Sequence, residues 1–419
     1  MLPATVFLFT TLATPRCPIE IYTTPGCRYC VKAKGFLRKR GAPFLEMDVS
    51  EDEKLLDDMI ARAGCATLPQ IFVAGEHIGG CSEMLSEHDA GTLGPKLAAV
   101  GIELLELPDE PNEPMPMSAG NAGPRARRGG TLNAPIIGAA SRAPQDATAA
   151  AVLSSAMQKA MLGLLDEFAL DDGSGSDLAA LRASPGFAGF LDLAGGLCGI
   201  QLVDVLGPSA PLAERKTFWL NLYNCLVLHS TAVLGAPRTP EERGKYFTGK
   251  SGAAYNVGGL TFCLDDIEHG VLRCNSPTVG GDVLFREDDA RDPCVLPVPV
   301  DPRLHFALNC GARSCPPIKM YTAVRLEEGL NLATRAFLES DLAPDVARGA
   351  LTLTKLLDWY GVDFGSDERA RVARLRDLLP DKSTLRADLD ALVNAERCPE
   401  LCYRPYDWGS EVDASAATV

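Results

Sequence analysis

Two stretches of the 419-residue chain hold side chains that could do chemistry. The first is "CRYC", residues 27–30, which contains the first thiol pair, Cys27 and Cys30. The second is "HFALNCGARSCPP", residues 305–317, which adds a histidine to the second thiol pair, Cys310 and Cys315. Thiols at such spacings can exchange disulfides, bind a metal ion or act as nucleophiles. The elements that position them decide between these chemistries.

The composition narrows the class of protein. A chain of this length is expected to form two or three domains. The formal net charge of -15 argues against non-specific binding to nucleic acid or anionic lipid, and no apolar run predicts a membrane span. The 14 cysteines are dispersed through a long chain, which favours a reducing compartment. We therefore expect a cytoplasmic protein, with the N-terminal extension, residues 1–17, as a candidate organelle-targeting peptide.

Residues 18–105 predict a compact α/β unit around the first thiol pair. "IEIYTT", "PFLEMDV" and the hairpin "QIFVAGEHIGG" are typical of strands. "CVKAKGFLRKRG", "EDEKLLDDMIARAG" and "SEMLSEHDAGTLGPKLAAVG" are typical of helices. The order β-α-β-α-β-β-α fits a small mixed sheet with helices on its faces.

In this order Cys27 follows a strand and opens a helix. The partial positive charge and free N–H groups of a helix N-terminus favour a thiolate there. We therefore expect Cys27 to attack a disulfide and Cys30, one turn later, to resolve the mixed disulfide. A zinc site is disfavoured because the chain has no second C-x-x-C.

These motifs resemble the dithiol glutaredoxins, which have the thioredoxin fold. The resemblance rests on "IEIYTTPGCRYC" and "GCATLPQIFVAGEHIGGCSEM" and covers nearly all of residues 18–105. It implies a thiol–disulfide oxidoreductase that uses glutathione and acts on disulfide or glutathionylated proteins. It also implies glutathione-binding positions at Arg28, Tyr29, Leu68, Pro69, Gly80, Cys81 and Ser82.

In the family the proline matched by Pro69 is cis and faces the active thiols. Three positions depart from the family pattern: Thr24 stands where many members have a lysine, Arg28 replaces a proline, and Ser82 replaces an aspartate. Arg28 could restore the positive charge that Thr24 lacks. We therefore expect glutathione binding to be kept but weakened.

The remainder of the chain predicts a tether and a second domain. Residues 106–148 are rich in Pro, Gly, Ser and Ala, which indicates a flexible linker. Residues 149–419 predict a separate, helix-rich α+β domain. Its long helices include "APLAERKTFWLNLYNCLVLHSTAVLG", and "YNVGGLTFCL" predicts a hairpin.

Two histidines of this domain could assist the second thiol pair. His269 ends the short predicted helix "DDIEHGVLR", whose dipole would favour an imidazolium. "RLHFALN" alternates like a strand, which places His305 and Cys310 on opposite faces unless the chain turns. A glycine and two prolines then hold Cys315 in a rigid loop, where it should meet solvent more readily than Cys310.

Residues 200–410 resemble the domain-of-unknown-function 547 family through "FWLNLYNCLVLH", "YNVGGLTFCLDDIEHGVLR", "DPRLHFALNCGARSCPPIKMYTA" and "YRPYDW". The family implies no activity, so four interpretations stay open. The domain could be a cysteine hydrolase or transferase, with His269 or His305 as base. It could hold a metal, although the spacing is unlike a zinc clip and we expect no metal. The second thiol pair could be a disulfide that the glutaredoxin reduces. The domain could also be an interaction module in which Arg313 is structural, with the glutaredoxin as its regulatory or targeting module.

Overall fold

A computed structural model describes residues 17–24, 27–50, 52–105, 131–133, 143–170, 174–286, 288–410 and 412–413. The chain folds into two compact units. Most of the predicted N-terminal extension and of the predicted linker lies outside the described residues.

A four-stranded mixed sheet organises the first unit, with strand order β2-β1-β3-β4. Strand β1 pairs in parallel with β2 and antiparallel with β3, and β3 forms a hairpin with β4. The strands and helices are β1 (Ile19–Thr23), α1 (Arg28–Lys39), β2 (Leu45–Asp48), α2 (Glu53–Ala63), β3 (Gln70–Val73), β4 (Glu76–Gly79), α3 (Cys81–Asp89) and α4 (Leu93–Ala98). This arrangement is the predicted thioredoxin fold.

The sheet of the first unit separates two small cores, because side chains alternate between its faces. On one face Ile21 packs with Leu37 of α1, and on the other Phe72 packs with Met59 of α2. The hairpin between β3 and β4 turns at Ala74 and Gly75, which both have positive φ, as a type I′ turn requires. The result is a rigid sheet whose strand β1 leads directly into the first thiol pair.

Helices dominate the second unit, with two small sheets at its edges. β5 and β6 form an antiparallel hairpin, while β8 pairs antiparallel with β7 and in parallel with β9. The helices are α5 (Ala147–Glu167), α6 (Leu178–Ala183), α7 (Pro185–Gly195), α8 (Leu202–Leu206), α9 (Leu212–Leu234), α10 (Pro240–Phe247), α11 (Leu326–Asp341), α12 (Leu356–Trp359), α13 (Glu368–Asp377) and α14 (Thr384–Asn394). The strands are β5 (Ala254–Val257), β6 (Leu260–Cys263), β7 (Ala343–Asp345), β8 (Ala350–Leu353) and β9 (Glu400–Tyr403).

Helix α9 is the centre of the second unit, since it is buried on all sides and α5 packs along it. Apolar residues surround such a helix instead of lining one stripe of it. The prediction of no membrane span is borne out in the part of the chain that the structure describes, although one helix passes a test of length and composition alone. Among the described residues α5 meets that length and composition, but half of the stretch is buried inside the unit.

Two predictions are corrected by the second unit. Asn133 lies within the predicted linker, yet it is buried and its side chain hydrogen-bonds the backbone of Ala194 and Asn256. The predicted strand "RLHFALN" is instead led by a 3-10 helix, Pro302–Phe306. Its cap explains the error, because the Asp301 side chain accepts the N–H of Arg303 and the following proline suits the first helical position.

Candidate functional site

The first thiol pair lies at the N-terminus of α1, as predicted. The carbonyl of Cys27 accepts the first helical N–H, from Val31, and Cys30 lies in the first turn. The two sulfurs are joined as a disulfide. The backbone N–H of Cys30 also donates to the Cys27 sulfur at 3.2 Å. Both cysteines are buried in this form, Cys27 with 7% and Cys30 with 1% of its surface exposed.

The predicted glutathione-binding residues fall into two groups. Around the thiols, Tyr29 is 41% exposed on α1, and the Leu68–Pro69 peptide bond is cis. Arg28 begins α1, but its side chain lies outside the described part of the structure. Gly80, Cys81 and Ser82 form the second group, at the N-terminus of α3.

The N-terminus of α3 offers backbone N–H groups but no reactive thiol. Cys81 is buried in the core, and burial raises the pKa of its thiol. Ser82 is exposed. The N–H of Gly80 donates to the Glu83 carboxylate at 2.9 Å. The N–H groups of Cys81 and Ser82 have no acceptor within the helix, because the first turn of a helix leaves its donors unpaired.

Lys32 is a charged residue near this turn that the sequence did not single out. It is exposed on α1, and its positive charge opposes the burial that raises the pKa of Cys81. Lys32 therefore lies within electrostatic reach of the start of α3. Lys34, by contrast, is buried and paired with Glu46 at 2.7 Å. The only sequence signal for Lys32 was its place in the basic helix that follows the first thiol pair.

The two thiols of the second pair are close in space. The sulfurs of Cys310 and Cys315 are 3.0 Å apart, and both residues are half-buried. The Tyr406 hydroxyl lies 3.1 Å from the Cys315 sulfur and 3.7 Å from that of Cys310. The backbone N–H of Cys310 donates to the Cys315 sulfur at 3.1 Å. Similar burial of both thiols means that the expected difference in solvent exposure is not found.

The two thiols of the second pair titrate as a coupled unit. The hydrogen bond from Cys315 lowers the pKa of Cys310, and the Tyr406 hydroxyl lowers it further. Burial raises the pKa of Cys315 well above its ordinary value, and the adjacent sulfur of Cys310 raises it more. One thiolate, on Cys310, is therefore stabilised by a neighbouring thiol and a phenol.

Comparison with known proteins agrees with this division into two domains. The glutaredoxin family model matches residues 19–78, and the model described as "Protein of unknown function, DUF547" matches residues 209–338. Glutaredoxin 3 of Escherichia coli (strain K12) is 39% identical over 79 residues, which are 19% of this chain and 95% of that protein. The chain belongs to the glutaredoxin family. Its first domain is a glutaredoxin-type disulfide oxidoreductase, fused to a DUF547 domain.

Two further relatives each match about a fifth of the chain. A glutaredoxin of Pseudomonas aeruginosa is 37% identical over 82 residues, covering 20% of this chain and 98% of that protein. The crystal structure of a buckwheat glutaredoxin–glutathione complex is 26% identical, covers 20% of this chain and 81% of that chain, and superposes with a TM-score of 0.20.

In the DUF547 domain the two predicted histidines meet in a buried ionic cluster. His305 donates from Nε2 to Asp363 at 2.7 Å, and Arg273 contacts both carboxylate oxygens of Asp363 at 2.7 and 3.0 Å. Arg273 also lies 2.6 Å from His269 Nδ1. Tyr360 stacks on His305 with the ring centroids 4.2 Å apart.

The protonation state of His269 in this cluster differs from the predicted imidazolium. His269 lies in a π-helix, Asp266–Leu272, and burial lowers its pKa while Arg273 lowers it further. An imidazolium at His269 is therefore disfavoured, against the effect expected from the helix dipole. Burial raises the pKa of Asp363, but its bonds to His305 and Arg273 outweigh that effect and bring the pKa down to about 2.

The predicted chemistry of the DUF547 domain is only partly assembled. Neither His269 nor His305 hydrogen-bonds a thiol of the second pair, so the structure provides no Cys–His couple. In the described ranges no group of three or more His, Cys, Asp or Glu residues could hold a metal ion. Arg313 is half-buried and its backbone N–H bonds Gly409, which is a structural contact.

Proposed function

We propose that the glutaredoxin domain uses glutathione as its reductant and acts on disulfides and glutathionylated cysteines of other proteins. The observation that carries the proposal is the first thiol pair, in which the more exposed Cys27 receives the N–H of Cys30 at a helix N-terminus. Such donors stabilise the thiolate, which is the nucleophile of disulfide exchange.

On a glutathionylated protein the reaction needs Cys27 alone. Its thiolate attacks the glutathionyl sulfur, forms a Cys27–glutathione disulfide and releases the protein thiolate. A glutathione thiolate then attacks the bound glutathionyl sulfur, which forms oxidised glutathione and releases Cys27 as thiolate. Two glutathione thiols supply the two electrons when the substrate is a protein disulfide.

On a protein disulfide the second cysteine completes the reaction. Cys27 attacks one sulfur and displaces the other as a thiolate, leaving a mixed disulfide. Cys30 then attacks the Cys27 sulfur and displaces the substrate as a dithiol. The product on the enzyme is the Cys27–Cys30 disulfide, the form that the structure contains, and two glutathione molecules reduce it.

Three features support glutathione as the ligand. The N–H groups of Cys81 and Ser82 begin a nine-residue helix, where a carboxylate is favoured. Lys32 adds a positive charge within reach of that helix end. Leu68 precedes the cis proline Pro69 and leads into β3, which is the position whose backbone pairs with glutathione in the family it resembles. Glu83 competes for the Gly80 N–H, which fits the expected weakening of glutathione binding.

A coupled assay tests this proposal on the full chain. The substrate is a glutathionylated peptide, and glutathione, glutathione reductase and NADPH regenerate the reductant. We expect NADPH oxidation to saturate with glutathione concentration and to stop when glutathione is left out. Equal turnover with thioredoxin reductase and no glutathione would overturn glutathione as the reductant, while leaving the disulfide exchange itself intact.

A further inference from the structure

The second thiol pair is not used by the reaction proposed for the first. Its sulfurs lie 3.0 Å apart, a distance at which one thiol donates its proton to the other sulfur. The distance is longer than the roughly 2.05 Å of a disulfide bond. A small movement of either side chain would bring them to bonding distance. The contact therefore resembles the reduced form of a dithiol–disulfide couple.

The loop that carries this pair is fixed at both ends by Asn309. The Asn309 side chain accepts the N–H of Gly311 at 2.7 Å and donates to the carbonyl of Pro316 at 2.8 Å. The backbone N–H of Asn309 donates in turn to Asn224 of the buried helix α9 at 2.9 Å. The two cysteines are thus positioned by the core of the DUF547 domain.

A second segment, residues 406–410, holds the middle of the loop. The N–H of Arg313 donates to the carbonyl of Gly409, and that of Ser314 to the carbonyl of Asp407. The N–H of Asp407 donates to the Ser314 hydroxyl at 2.8 Å. This segment also brings Tyr406, whose hydroxyl contacts both sulfurs and whose ring packs against Trp359 and Trp408.

The surroundings distinguish the roles of the two thiols. The sulfurs lie within hydrogen-bond distance, and with the Cys315 thiol as donor the pKa of Cys310 is lowered while that of Cys315 is raised, which makes Cys310 the nucleophile and Cys315 the residue that resolves. Arg243 adds positive charge near Cys310. A thiolate nucleophile, an adjacent resolving thiol and a neutral donor are the parts that disulfide exchange requires.

We propose that Cys310 and Cys315 form a second reversible dithiol–disulfide couple, which exchanges with disulfides and thiols of the glutathione class. In oxidation the Cys310 thiolate attacks a low-molecular-weight disulfide, forms a mixed disulfide and releases one thiolate. Cys315 then attacks the Cys310 sulfur and releases the second thiolate. Two electrons pass to the small disulfide and two protons to the solvent or to the leaving thiolates.

Reduction is the reverse exchange and needs a thiol donor. Free glutathione or the dithiol of Cys27 and Cys30 has the required chemistry. On this point alone the inference rests on the proposed function. Two exposed cysteines of the same domain, Cys398 and Cys402, provide an internal comparison, since the structure records no contact between their sulfurs.

The experiment measures the disulfide directly in the full-length protein. The protein is equilibrated in glutathione buffers that range from reduced to oxidised, quenched in acid, alkylated with excess reagent in denaturant near pH 7 and digested with trypsin. Cleavage at Arg313 separates the two cysteines into residues 304–313 and 314–319, so their disulfide appears as a crosslinked peptide pair. We expect this crosslink to rise from near zero to near completion, while Cys398 and Cys402 remain without a mutual disulfide.

The variant Cys27→Ser distinguishes the two possible thiol donors, free glutathione and the first thiol pair. If Cys27→Ser leaves the oxidised couple reducible by glutathione at the parent rate, the couple stands and free glutathione is its donor. A loss of at least about tenfold in that rate assigns the donor to the first thiol pair. Absence of the crosslink even in fully oxidised glutathione would overturn the couple. The assay of the glutathionylated peptide would be unaffected by that result, so the two proposals fail separately.

Discussion

The two thiol pairs of this chain achieve similar surroundings by different means. The first pair has two residues between its cysteines and takes its donors from the N-terminus of α1. The second has four residues between its cysteines and takes a donor from Tyr406, a side chain 91 residues away from Cys315 in the sequence. The first arrangement depends on local structure, whereas the second depends on the fold of the whole domain. Substitutions should therefore affect the two pairs through different parts of the chain.

The largest expected effect is at the first pair. Cys27→Ser should lower glutathione-dependent disulfide reduction by at least about a thousandfold, because the nucleophile is lost. Cys30→Ser should retain activity on glutathionylated peptides and lose it on protein disulfides, since only the latter need a resolving thiol. Both are measured in the coupled assay. Cys65→Ser is the control, as Cys65 is a half-buried free thiol of the same domain, and full activity in Cys27→Ser would refute the assignment.

The second expected effect tests how much the buried ionic cluster around Asp363 stabilises the second unit. Asp363→Asn leaves Arg273 buried without its counter-charge, which should lower the free energy of unfolding by about 3–5 kcal/mol. All three tryptophans, Trp219, Trp359 and Trp408, lie in the second unit, so fluorescence during urea unfolding reports on that unit. Asp381→Asn is the control, because Asp381 is 95% exposed and its change should stay within about 0.5 kcal/mol.

The same carboxylate gives a dependence on pH. The folded pKa of Asp363, about 2, lies below its unfolded value, so its contribution to stability is complete above the unfolded pKa and is lost as the pH falls toward 2. The parent should therefore lose more stability than Asp363→Asn between about pH 4 and pH 2. Parallel curves for the two proteins would show that Asp363 is not held as a buried anion.

A smaller effect is expected from the hydroxyl that contacts the second pair. Tyr406→Phe keeps the ring packed against Trp359 and Trp408 but removes the donor to both sulfurs. Alkylation of Cys310 by iodoacetamide near pH 7 should slow by about three- to tenfold, and its pH–rate curve should shift to higher pH. The rate at exposed Cys402 serves as the control and should not change. An unshifted curve would remove Tyr406 from the stabilisation of the thiolate.

The difference between the pairs also explains what the sequence could predict. At the first pair the strand, the thiols and the helix follow one another, so local patterns were sufficient. At the second pair, alternation in "RLHFALN" suggested a strand, although the Asp301–Pro302 cap produces a 3-10 helix. The partners that complete this region, Tyr406 for Cys315 and Asp363 for His305, are 91 and 58 residues distant. Contacts of that range come from tertiary packing, and no local motif encodes them.

The smallest expected effect returns to the first pair and to a charge that the fold reveals. Lys32→Gln should raise the KM for glutathione by about two- to fivefold with little change in kcat, as for an exposed ion pair worth less than about 1 kcal/mol. The effect should shrink as salt is added, because exposed charges are screened. Lys39→Gln removes an exposed lysine from the far end of α1 and should leave KM unchanged. If both variants match the parent, the backbone N–H groups at the start of α3 are sufficient to bind the glutathione carboxylate. The first site then depends on local structure alone.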